Sequence, residues 1–90
     1  MNATVEDFNF DQFWSAYPRK VAPRYARAKY HAALRVATHE EIMAGLLRYI
    51  EDLESRDVAT EYIAHPATWL NRGRWEDEYE SASGKWGDAN

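Results

Sequence analysis

Arg24, Arg27, His31 and Arg35 stand at i, i+3, i+7 and i+11. On a helix that spacing sets all four on one side. Arg19 and Lys20 lie just upstream, and no carboxylate occurs between Asp11 and Glu40. A helix face that is merely solvated usually mixes signs at i, i+4, because such pairs stabilise it. Cations with no local counter-charge suit phosphate, where each contact releases counterions. Arginines without Asn or Gln beside them point to backbone contact rather than base reading. The plainer alternative is an ordinary solvated face, which charge runs usually are.

Other chemistry finds less support. Tyr17, Tyr25, Trp75 and Trp86 are candidate stacking surfaces for unpaired bases. His31, His39 and His65 form no i, i+4 pair and no H-E-x-x-H pattern, so zinc hydrolysis is unsupported. His39, at a helix start, and His65, before a proline, read as surface or capping residues. No glycine opens a phosphate loop, and Ser15, Ser55, Ser81 and Ser83 sit in no nucleophile elbow. Glu76-Asp77-Glu78 is an acidic run of the kind that is usually only solvated. The expectation is a non-enzyme with no metal and no cofactor.

These side chains need elements to hold them. Asn9 and Gln12 have capping-box spacing, with Phe8 and Phe13 placed for a hydrophobic staple. Residues 1–8 then read as a lead-in, and Phe10, Phe13, Trp14 and Tyr17 as one face of a short first helix. Pro18 should end that helix at Tyr17. Pro23 fits the first position of a second helix, whose arc is Ala26, Tyr30, Ala33, Leu34 and Ala37. Thr38 and Glu41 form another capping box, opening a third helix from His39 to about Arg56. Its stripe is Ile42, Leu46, Tyr49, Ile50 and Leu53, widened by Met43 and Leu47, which marks it as the central core helix. Gly45 inside it implies close packing against an aromatic. Tyr62 to His65 should be extended up to Pro66, which opens a short helix, PATWLN, closed by Asn71 or Gly73. Trp69, Leu70 and Trp75 make a second aromatic cluster, expected to pack on the first or third helix.

Ninety residues, 46% hydrophobic and 14% aromatic, suit one folded domain. There is no cysteine, no signal-peptide pattern and no run of apolar residues long enough to span a membrane, so a cytoplasmic protein is expected. The net charge of −4 hides segregation: the six cations of 19–35 face seven acids between Glu40 and Glu61.

Two motifs carry a family resemblance. FDQFWSAYPRK (Phe10–Lys20) and EYIAHPATWLNRGRWEDE (Glu61–Glu78) resemble the opening and closing motifs of a C-terminal domain found in phage and prophage replication proteins. Ala64 departs from that pattern, where proline is expected, and Ala22-Pro23 replaces a common Gly-Lys. The resemblance implies a role in replication initiation, by binding DNA or recruiting the helicase and its loader. In that family the domain commonly follows a winged-helix or helix-turn-helix region; here the starting Met and the tail lead us to expect a free-standing version.

The expected architecture is a compact all-α bundle of three main helices plus a short C-terminal helix, residues 1–80, with a flexible tail, 81–90. The expected function is a non-catalytic, phage-derived DNA-binding accessory module. Its phosphate contacts would be Arg19, Lys20, Arg24, Arg27, His31 and Arg35. The alternative is a protein-interaction module that docks on, or inhibits, a host replication, transcription or defence protein. Strand preference and oligomeric state stay open.

Overall fold

The computed structural model describes residues 5–79. The expected tail, with Trp86, lies outside the described residues. Four helices follow in order: α1 Val5–Ala16, α2 Pro23–Ala33, α3 His39–Ser55 and α4 Pro66–Asn71. Single 3-10 turns occur at Thr60–Tyr62 and Arg74–Glu76, and no strand occurs among the described residues. The chain is thus all-α, with three main helices and a short fourth.

The helix ends follow local chemistry. At α3 the Glu41 amide donates to Thr38 Oγ1 at 3.0 Å, and the Thr38 amide donates to Glu41 Oε1 at 2.8 Å. Both halves of the capping box are therefore made. Asp57 closes α3 in the left-handed region, φ 54°. The Val58 amide then reaches the Leu53 carbonyl at 3.0 Å and the Asp57 amide reaches Glu54 at 3.2 Å, the Schellman pairing. Pro23 and Pro66 open α2 and α4, where their missing N–H is no loss. Gly73, φ 64°, closes α4 and donates to the Leu70 carbonyl at 3.1 Å.

α1 differs from expectation. It begins by Val5, so Asn9 lies inside the helix and is not its cap. Phe8 is 74% exposed and makes no staple. Two effects extend the helix past the capping-box match. Glu6 and Asp7 fall in its first turn, where negative charge favours the helix dipole. Both also pair with α2, which no local pattern reveals. At the other end the helix stops at Ala16, as Pro18 requires.

The core is built of rings. Trp69 of α4 is fully buried, with ring centres 5.9 Å from Phe13, 6.0 Å from Tyr17, 5.9 Å from Tyr49 and 6.3 Å from Trp75. One residue of the shortest helix thus touches α1, α3 and the C-terminal turn. Each such ring removes roughly 150–250 Å² from water. Polar atoms of the same cluster tie down the 61–64 segment. The Tyr17 hydroxyl donates to the Ala64 carbonyl at 2.8 Å, and the Ala64 amide donates to the Tyr49 hydroxyl at 3.0 Å. A proline at 64 has no N–H to offer Tyr49.

Gly45 is buried against Trp75: a Cβ there would overlap the Trp75 Cα and carbonyl oxygen and lie 2.6 Å from its Cβ. Close packing on an aromatic is therefore what keeps this glycine inside a helix. Leu47, expected to widen the α3 stripe, is instead 57% exposed. The buried face of α3 is the narrower set Ile42, Gly45, Leu46, Tyr49 and Leu53. Tyr62 belongs to a 3-10 turn rather than an extended segment, whereas Ile63 and His65 are extended as expected.

Candidate nucleic-acid interface

The six cationic positions singled out on the sequence separate into three groups. Arg27 is engaged by α1: its guanidinium lies 2.9 Å from Asp7, 3.9 Å from Asp11 and 4.6 Å from the Phe10 ring centre. His31 follows it, with Nδ1 3.0 Å from Glu6 Oε1. The counter-charges that seemed missing from this stretch come from α1, about one helix upstream. The rod's central pair is therefore engaged by α1 carboxylates within the molecule.

Arg19 and Lys20 serve the backbone. Arg19 donates to the carbonyl oxygens of Glu61 at 3.1 Å and Ile63 at 2.9 Å. Lys20 donates to the Tyr17 carbonyl at 2.8 Å. The Y-P-R-K run is thus a clasp between the end of α1 and the segment entering α4. Charge-assisted bonds of this kind are worth roughly 1.5–3 kcal/mol each when sheltered; these are half-exposed and count for less.

Arg24 and Arg35 remain. Both are exposed, with no hydrogen bond or ion pair among the described residues. Arg35 is not on the rod, because α2 ends at Ala33 and the chain turns through Leu34 to Ala37.

Two cations outside the expected set share that freedom: Lys29 of α2 and Arg72, which caps the end of α4. α4 packs across α2, and the two helices leave a groove of about 500 Å³ between them. Lys29, Tyr25, His65, Thr68, Asn71 and Arg72 line it, and no carboxylate does. A second hollow of about 320 Å³ shares Lys29, Asn71 and Arg72 and ends at Glu76, whose charge would repel a phosphate. Tyr25 is 68% exposed. Of the other expected stacking residues, Tyr17 and Trp75 are buried in the core, and Trp86 lies outside the described residues.

The sequence pattern behind this groove lies in the closing motif. Pro66, Trp69 and Leu70 are buried, while His65, Thr68, Asn71 and Arg72 alternate with them on the groove side. Lys29 stands one turn after Tyr25, at i+4. Such polar positions at helical spacing within an aromatic motif are the signal that could have found the site.

Residues 5–73 match the family described as the Legionella vir region protein LvrA C-terminal domain. The chain belongs to that family. The matched span covers α1 to α4 and so includes every groove position of this chain. No curated protein and no solved structure matches the chain. The replication-protein resemblance of the two motifs is therefore not the family found; within the LvrA C-terminal domain those motifs are largely accounted for by packing, through Phe13, Tyr17, Arg19 and Trp69.

His39 is tertiary rather than a cap. Its Nε2 lies 2.8 Å from Gln12 Oε1 and its Nδ1 lies 2.8 Å from the Tyr30 hydroxyl. With the proton on Nε2, the ring donates to Gln12 and accepts from Tyr30, joining α1, α2 and α3 at one point. Burial, reinforced by Glu6 and Glu40, pushes the Tyr30 phenol up to about 12. Burial and the neighbouring Tyr49 push Tyr17 further still. Neither phenol can serve as an acid or base near neutral pH. Among the described residues no cluster of His, Cys, Asp or Glu could hold a metal ion, and no helix is long and apolar enough to cross a membrane.

Proposed function

We propose that this domain is a non-catalytic nucleic-acid-binding accessory module, of the kind that serves replication initiation or helicase loading, and that it binds through the groove between α2 and α4. The observation that carries this reading is the position of Lys29 and Arg72. They come from different helices, line one concavity that contains no carboxylate, and make no ion pair among the described residues. Arg24 and Arg35, also unpaired there, lie on α2 and in the turn that follows it. Phosphate is the ligand that such a set favours. The expected phosphate contacts therefore shift from Arg19, Lys20, Arg27 and His31 to Lys29 and Arg72, while Arg24 and Arg35 are kept.

Fluorescence anisotropy with a labelled oligonucleotide at two salt concentrations tests this. Four neutralised phosphates give a loss of roughly 50- to 150-fold between about 50 and 200 mM salt. The double variant Lys29→Gln/Arg72→Gln should bind more weakly and with a shallower salt slope. Absence of binding at low salt, or binding insensitive to salt, overturns the reading.

A second reading, a protein-interaction module, is favoured by Val5 and Phe8, exposed one turn apart on α1. A partner held there would be lost on Phe8→Ser, with nucleic-acid affinity unchanged.

A further inference from the structure

We infer that the groove takes single-stranded rather than duplex nucleic acid, with Tyr25 as the platform on which an unpaired base stacks. The inference rests on the nucleic-acid reading above and narrows its ligand class.

Three features point the same way. The first is shape. A duplex is convex, and its base edges lie at the bottom of a groove ~12 Å wide, which a protruding helix enters. Here α2 does not protrude alone: α4 lies across it, and Tyr25 stands at the edge of a hollow of about 500 Å³. A rigid duplex cannot descend into that hollow, whereas a flexible strand can place a nucleotide in it.

The second is the aromatic itself. Tyr25 is 68% exposed in a molecule whose other large rings mostly form the core. It touches no other ring among the described residues, so no aromatic neighbour stacks on it. An exposed tyrosine beside lysine and arginine is the arrangement in which bases stack while cations follow the backbone.

The third is the polar lining. Asn71 offers a paired donor and acceptor, the edge complementary to an unpaired base, and Thr68 adds a hydroxyl one turn before it. Lys29 and Arg72 border the same hollow and would hold the phosphates on either side of the stacked nucleotide.

The experiment compares one sequence as a single strand and as a hairpin duplex, against the wild-type chain, Tyr25→Ala, Tyr25→Phe and Lys29→Gln/Arg72→Gln. The single strand carries 2-aminopurine, whose emission reports stacking. The single strand should bind more tightly than the hairpin. Tyr25→Ala should lower its affinity by roughly 5- to 150-fold. It should also abolish the change in 2-aminopurine emission while leaving the salt slope in place. Tyr25→Phe should retain both affinity and emission change, because the ring rather than the hydroxyl does the stacking. Equal affinity for the two forms, or full single-strand affinity in Tyr25→Ala, overturns the single-strand inference and leaves the phosphate reading standing. Binding of neither form, with the double variant indistinguishable from wild type, overturns both. Tyr25 is exposed, so its replacement leaves the fold intact, which circular dichroism checks.

Discussion

Arg27 of α2 meets Asp7 of α1 at 2.9 Å, with its guanidinium 4.6 Å from the centre of the Phe10 ring. Twenty residues separate the pair in the chain. The contact turns a cation that stands on a basic rod in sequence into a staple between two helices. Surface pairs of this exposure contribute about 0.2–1 kcal/mol, and a cation over an aromatic adds about 0.5–1. Arg27→Gln should therefore cost about 1 kcal/mol of stability and leave nucleic-acid affinity nearly unchanged. A double-mutant cycle with Asp7→Asn in urea melts should show a coupling of about 0.5 kcal/mol or more.

Gly45→Ala reads the approach of α3 to the C-terminal turn. The new methyl would strike the backbone of Trp75, which cannot rotate away as a side-chain tip can. Alanine gains about 1 kcal/mol of helix propensity. Overpacking against backbone, at the upper end of the usual ~1–3 kcal/mol, outweighs it, and we expect a net loss of about 2 kcal/mol. The measurement is the urea midpoint, with near-UV circular dichroism showing the tryptophan environment disturbed.

Ala22 precedes Pro23 with φ 54°, a left-handed conformation that costs a residue with a Cβ about 1–2 kcal/mol. Glycine adopts it freely but loses more entropy on folding, roughly 0.4–1 kcal/mol. Ala22→Gly should stabilise the domain by about 0.5–1 kcal/mol. A rise in melting temperature checks this. Glycine is also the residue that the replication-protein motif commonly has at this place.

Alkaline pH should loosen the α1–α2–α3 junction. The unfolded Tyr30 phenol loses its proton near pH 10, while burial holds the folded one to about 12. Above pH 10 the unfolded state therefore binds fewer protons, and stability falls as pH rises. The contribution is complete below pH 10 and is lost through about pH 12. Tyr30→Phe should flatten this part of the curve, at the cost of about 1 kcal/mol at neutral pH from the lost bond to His39. Urea midpoints at about pH 7 and between about pH 9 and 12 measure both effects.

What could be read from residues alone was what depends on near neighbours. Thr38 with Glu41, Pro23, Pro66 and the stop before Pro18 act within a turn or two, and each set its helix end. The aromatic spacing of Phe10, Phe13 and Tyr17 announced a docked face, and Gly45 announced a close approach. What could not be read depends on partners far along the chain. Glu6 and Asp7 look like a lead-in until α2 brings His31 and Arg27 to them. Arg19 looks like a free cation until the Glu61 and Ile63 carbonyls fold over it. The groove is a product of the same kind, since Lys29 and Arg72 line one hollow only because Trp69 anchors α4 in the core and α4 packs on α2.

The most direct test of the account is a two-dimensional NMR titration of the labelled domain with a short single-stranded oligonucleotide at low salt. We expect the amides of Tyr25, Lys29, Thr68, Asn71 and Arg72 to shift together, with those of Glu51 and Glu54 on the opposite-charged α3 face unmoved. Shifts centred on Arg27 and His31 or on the α3 face, or no shifts at all, would contradict it.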